Sequence, residues 1–253
     1  MPSLHISLTE NHRIQYGNIN IIILTRMKRV KPSIAGYQFS IMYAVLLVLA
    51  YVAISGIIPT VLNRTLWRPL NKNSSEWLNL LTIILASIIF FIGYIKITGH
   101  TVTVFSNITL TGILLAVGCS ILFFFLLDKL IDPVIDRMFP TSAEDYQVTL
   151  TTLRQSPATS FIRVCLFAPI AEEILMRGFI FTGLQNRHGV VVALVVSTIL
   201  FALLHFNFSQ TISSIISGLI LGLLYIKTDS LFCCVVAHSL YNSISYFSMI
   251  AAR

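Results

Sequence analysis

Charge is what this sequence has least of. Only 11% of its 253 residues are Asp, Glu, Lys or Arg, against about 25% in a soluble domain, and that scarcity excludes a water-soluble globule. A disordered chain is excluded by the same composition, because 56% of the residues are hydrophobic and so much apolar surface does not stay solvated. The four cysteines, Cys119, Cys165, Cys233 and Cys234, have no C-x-x-C spacing and read as small buried hydrophobes. No H-E-x-x-H motif occurs. No Lys/Arg run is interleaved with aromatics, so nucleic acid is not an expected partner. Also missing are a signal-peptide layout, an internal repeat, a low-complexity tract and a Gly/Ser linker.

What remains is long apolar runs. A membrane-crossing helix needs about 20 mainly apolar residues, and seven segments approach that: 37–62, 78–95, 110–127, 159–182, 190–206, 211–226 and 231–249. The predicted fold is all-α, a polytopic transmembrane bundle of seven to eight helices occupying residues 36–253. Its partner is the lipid bilayer and its expected location is a bacterial cell membrane, crossed several times. Residues 1–35 form a separate polar and basic segment, and the stretch from Met27 (MKRVKPSIAGYQ) itself resembles the start of a membrane protein, so Met27 is a candidate initiator. The formal charge of +7 fits basic loops facing anionic lipid. Arg26, Lys28, Arg29 and Lys31 before the first run argue for a cytoplasmic N-terminus, although Arg64, Arg68 and Lys72 beyond it run against that trend. Asp128, Asp132 and Asp136 recur every four residues opposite Ile131, Val134 and Ile135, a pattern that predicts an interfacial amphipathic helix with a solvated acidic face. Ser214, Gly218 and Gly222 make a small-residue stripe that predicts close helix packing. His5, His12, His100 and His188 lie in polar or loop stretches and read as surface residues.

The informative residues are those that a membrane helix should not contain. Near the bilayer centre each ionisable side chain costs about 2.5–3.5 kcal/mol, so Glu172, Glu173 and Arg177, if isolated, would oppose insertion by roughly 8–10 kcal/mol. They must face protein or water. Glu173 and Arg177 are four residues apart and share a helix face, where they can pair. Glu172 lies about 100° further round and is free for another partner. Two histidines also sit inside long apolar runs: His205 at the end of FALLH, and His238, four residues before Asn242. A single buried His is ordinarily a satisfied core residue, but two His, an Asn and a Glu pair on three separate segments strain that explanation. Hydrolysis suits these groups. A carboxylate held in low dielectric is raised toward the range of a general base, a neighbouring His orients water and carries the proton, and His238 and Asn242 are donors for a developing oxyanion.

Three motifs, Glu172-Glu173 to Arg177 (EExxxR), Phe201 to His205 (FxxxH) and His238 to Asn242 (HxxxN), occur in the order seen in the CPBP family of intramembrane proteases, the CAAX protease and bacteriocin-processing family also called Abi. The chain resembles that family over about its C-terminal 90 residues, within 159–253. The resemblance implies an integral membrane endopeptidase in which Glu172 and His205 activate water, His238 and Asn242 form the oxyanion site, and Glu173, Arg177 and Phe201 support it. Its substrate would be a membrane-associated peptide or protein, a prenylated CAAX tail or a bacteriocin-related peptide among them. No cofactor is favoured. Zinc is the alternative, with Glu172, His205 and His238 as ligands, against which stands the cationic Arg177 one turn away. The competing reading is a non-catalytic membrane protein that regulates a sensor kinase or cell-envelope enzyme through helix contacts. A transporter or proton channel has less support, because the buried ionisable groups occupy one half of the chain and no inverted repeat is visible.

Overall fold

The computed structural model describes residues 36–205 and 207–251. The polar segment, its basic cluster, the candidate start Met27, His5 and His12 lie outside the described residues. Eight helices follow one another: α1 (Ile41–Trp67), α2 (Lys72–Thr98), α3 (Leu110–Met138), α4 (Pro140–Gln155), α5 (157–188), α6 (Val190–Ala202), α7 (Phe208–Thr228) and α8 (Leu231–Ala251). The described chain is an all-α bundle. Caps written in the sequence start several of them, with the Ser40, Asn71, Thr109 and Asn207 side chains accepting from the backbone N–H three residues on. Pro140 and Pro157 open α4 and α5, where a missing N–H costs nothing.

Of the seven apolar segments, four are long and apolar enough to cross a membrane: α1, α2, α3 and α7. The other three are limited by the residues that make the site. α5 carries Arg163, Glu172, Glu173 and Arg177, α6 stops after 13 residues, and α8 is interrupted by His238, Tyr241 and Asn242 among its serines. Burial is distributed accordingly. In the most apolar stretch of α1, α2 and α3 only 22%, 17% and 28% of residues are buried, so these helices turn most of their surface toward lipid. α5 is the opposite: every residue from Leu175 to Leu184 is buried.

Two large clusters build the core, the first of them around α5. Phe39, Leu47, Phe90, Phe179, Phe181, Leu194 and Phe201 join α1, α2, α5 and α6, while Phe123, Leu127, Leu221, Cys233, Cys234 and Ala237 join α3, α7 and α8. The small-residue stripe on α7 does what its spacing predicts. A Cβ at Gly222 would lie 2.4 Å from the Leu194 side chain, and one at Gly218 would lie 3.0 Å from the Phe201 ring, so α6 can lie against α7 only because both positions lack one. The cysteines are free thiols, three of them buried.

Two expectations are corrected. The acidic stripe is no separate interfacial helix: Asp128, Asp132 and Asp136 continue α3, through a wide π turn at Phe124–Ile131, and are half-buried on its inward side while Val134 is exposed. The predicted apolar side is split, with Val134 exposed, Ile131 half-buried and Ile135 buried. His100 is not a bare surface residue either. Its ring stacks on Tyr37 at 4.3 Å and its Nδ1 meets the Tyr94 hydroxyl at 2.8 Å; loss of hydration there pulls its pKa below the usual histidine value. His188 is exposed, as expected.

Candidate active site

α5 carries the acidic pair on a short α-helical turn, Ala168–Glu173, set between two π turns, Ile162–Phe167 and Ile174–Phe181. The wide turn and a proline act together here. In the first π turn the N–H of Ala168 bonds the carbonyl five residues back, at Arg163. The next residue is Pro169, which has no N–H to offer to Val164. That carbonyl instead accepts from Asn242 Nδ2 at 2.9 Å, and the Cys165 thiol donates to the backbone oxygen of Asn242 at 3.4 Å. A gap in the backbone ladder of α5 thus fixes the position of Asn242 on α8.

Glu173 and Arg177 are both fully buried and pair at 3.0 Å through Oε1 and Nη1. Arg177 Nη2 donates to the Gly218 carbonyl at 2.8 Å, and its guanidinium lies 4.9 Å from the centre of the Phe201 ring. The arginine therefore ties α5 to the small-residue stripe of α7 and to the end of α6. Glu173 Oε1 also meets His238 Nδ1 at 3.1 Å. The other ring nitrogen of His238, Nε2, stands 3.9 Å from Glu172 Oε2, beyond a direct hydrogen bond. Phe201 presents its edge to both histidines, 5.2 Å from the ring of His205 and 5.6 Å from that of His238.

His205 lies outside a helix. α6 ends at Ala202, and the chain turns through hydrogen bonds from Leu204 N to Phe201 O and from His205 N to Ala202 O. The imidazole Nδ1 reaches the Phe201 carbonyl at 3.2 Å, and Thr211 donates its hydroxyl to the His205 carbonyl at 2.8 Å. The apolar segment 190–206 predicts a helix that includes His205, whereas α6 stops at Ala202.

Glu172, His205, His238 and Asn242 line one cavity of about 550 Å³, together with Phe201. Glu173 and Arg177 are not on its wall; they lie behind it. Asp128, Asp132 and Asp136 line the same cavity, so the acidic stripe faces the site. Tyr241 donates to Asp128 at 2.8 Å, and Ser213 donates to Asp132. Tyr146 of α4 adds a phenol whose pKa is pushed up to about 12, by burial first and then by the charges of Asp132 and Asp128. The four-residue period of the aspartates was visible in the sequence, but their inward direction depends on which side of α3 meets α7 and α8. α4 is clasped to the start of α7, where Asn207 Nδ2 donates to the Ser142 carbonyl at 2.9 Å and the Ser142 hydroxyl donates to Asn207 Oδ1 at 3.1 Å.

Among the described residues no three His, Cys, Asp or Glu side chains gather into a metal-binding group.

Residues 154–244 match the family model described as type II CAAX prenyl endopeptidase Rce1-like. All three motifs, from Glu172 to Asn242, fall inside that stretch, and the match bears out the resemblance drawn from them. A curated relative from Mycoplasma capricolum subsp. capricolum, itself called an uncharacterized protein, is 24% identical over an alignment of 202 residues that covers 72% of this chain. The chain spans 59% of the length of that relative. No solved structure matches the chain.

Proposed function

We propose that this protein is an integral membrane endopeptidase of the glutamate type, hydrolysing a peptide bond of a membrane-associated substrate with water activated by Glu172 and His205. The observation that carries the reading is the shared cavity: one carboxylate, two imidazoles and one carboxamide, drawn from α5, the α6–α7 turn and α8, open onto the same space of about 550 Å³. Glu172 takes a proton from water, whose oxygen adds to the carbonyl carbon. His205, its Nδ1 committed to the Phe201 carbonyl, orients that water through its other nitrogen. Asn242 uses one amide hydrogen on Val164, and the second is free to meet the oxyanion. Collapse of the tetrahedral intermediate breaks the C–N bond, and the proton leaves with the amine. The family match supports a prenylated C-terminal tail as the substrate class.

The test is cleavage of a prenylated peptide carrying a C-terminal reporter by the purified full chain in liposomes. Glu172→Ala and His205→Ala should each lower the rate about 10²–10⁴-fold while the protein stays folded. Activity that persists in strong chelator supports the glutamate mechanism; loss on chelation and recovery with zinc would overturn it. A chain that works through helix contacts alone would release no reporter and would keep its cellular effect with either alanine in place.

A further inference from the structure

We infer that Glu173 is a positioning residue which holds His238 in the tautomer with its hydrogen on Nδ1, so that Nε2 faces Glu172 as a proton acceptor. This rests on the proposed hydrolysis by Glu172-activated water and assigns His238 a part in that reaction beyond lining the oxyanion wall.

A guanidinium stays protonated in a protein and has no acceptor. Arg177 is fully buried, and Glu173 is the carboxylate paired with it, so Glu173 is present as the anion, since an uncompensated charge at that depth is strongly destabilising. An anionic carboxylate only accepts hydrogen bonds. Its Oε1 receives Arg177 Nη1 at 3.0 Å and meets His238 Nδ1 at 3.1 Å, so the hydrogen of that second contact must come from the imidazole. An imidazolium would carry a second N–H on Nε2, yet Nε2 stands 3.9 Å from Glu172 Oε2, beyond the direct bond such a donor would make to a carboxylate; the neutral ring carries one N–H, and with Nδ1 bearing it, Nε2 is left with a lone pair. That lone pair is directed to the side of Glu172, 3.9 Å away, a separation that suits one water molecule touching both groups better than a direct bond.

The consequence is a division of labour on α8. A neutral His238 in this tautomer offers no donor to an oxyanion through Nε2, which leaves the second amide hydrogen of Asn242 as the donor on that helix. Nε2 accepts instead. The proton that Glu172 removes from water passes to Nε2 as the new C–O bond forms, and passes from Nε2 to the leaving nitrogen as the C–N bond breaks. Glu172 returns to its carboxylate form and His238 to the same neutral tautomer. Glu173 touches neither water nor substrate in this scheme. It acts through His238, and its partner Arg177 is anchored by the Gly218 carbonyl.

The tautomer is directly measurable. Nitrogen-15 NMR of the full chain labelled at histidine, in detergent or lipid, with the His238 signals assigned by comparison with His238→Gln, should show a protonated Nδ1 and an unprotonated Nε2. A His238 with its hydrogen on Nε2 in the wild-type protein overturns the proposal without touching the protease reading, which the Glu172→Ala assay decides separately. In Glu173→Ala the acceptor for Nδ1 is gone, and the signal should move toward the Nε2-protonated form; an unchanged Nδ1-protonated signal in a folded variant also overturns it. Should that variant fail to fold, the wild-type measurement alone decides.

Discussion

At the scale of single residues, the costliest feature of the chain is the fully buried pair Glu173 and Arg177. Removing one member of a buried ion pair leaves the other uncompensated and costs about 3–5 kcal/mol. Arg177→Leu should therefore destabilise the protein by about that much, read as a drop in thermal midpoint in detergent. Arg177→Leu with Glu173→Leu should recover much of the loss, because two apolar side chains of similar volume replace the pair. The EExxxR spacing already announced this pair, since four residues on a helix define one face. The third partner was not legible. Nothing local in the sequence says that Oε1 of Glu173 also meets His238, a contact between residues 65 positions apart, and it is this contact that decides which nitrogen of the imidazole is available. Asn242 is a similar case: HxxxN flags it, but its 2.9 Å bond to the Val164 carbonyl follows from a π turn that sequence periodicity does not show.

Among the elements, α5 organises the rest, and the chain meets it with small residues where it must come close. Gly183 is the sharpest example outside the α7 stripe. Its carbonyl accepts from the backbone N–H of Phe39 at 2.8 Å, and a Cβ there would lie 2.4 Å from Cγ of the Phe39 ring, which is itself fully buried. Gly183→Ala should overpack this contact and cost about 1–3 kcal/mol, measured as a lower midpoint of thermal unfolding, with Phe39→Leu in the same chain restoring part of it. The apolar runs predict seven of the eight helices, whereas α4, whose sequence PTSAEDYQVTLTTLRQ holds no apolar run, was not legible. Helix ends were not always legible either: α6 stops at Ala202 although the apolar run continues. The four-residue period of the α3 aspartates predicts an interfacial helix with a solvated acidic face. Within the bundle the same stripe instead lines the internal cavity.

For the whole molecule, the division into lipid-facing and protein-facing helices explains why only some of the apolar segments qualify as spans. α1, α2 and α3 expose long apolar surfaces and carry little of the chemistry, apart from the acidic face of α3. α5 and α8 hold polar groups that would be costly in lipid, and of these Glu173, Arg177 and His238 are buried within the bundle. The family match, confined to residues 154–244, falls in the part of the chain where those costs concentrate. Composition alone was enough to place the chain in a membrane, and the three spaced motifs supplied the candidate residues; only the fold shows that Glu172, His205, His238 and Asn242 line one cavity. The account's central claim is that they act there as one unit on one water molecule, and a double-mutant cycle on peptide cleavage in liposomes tests it most directly. If Glu172 and His205 serve the same water, Glu172→Ala with His205→Ala together should be slowed about as much as either single change, since groups acting as a unit are strongly non-additive. Losses that multiply, so that the double variant is slower by the product of the two single effects, would show independent roles and contradict the account.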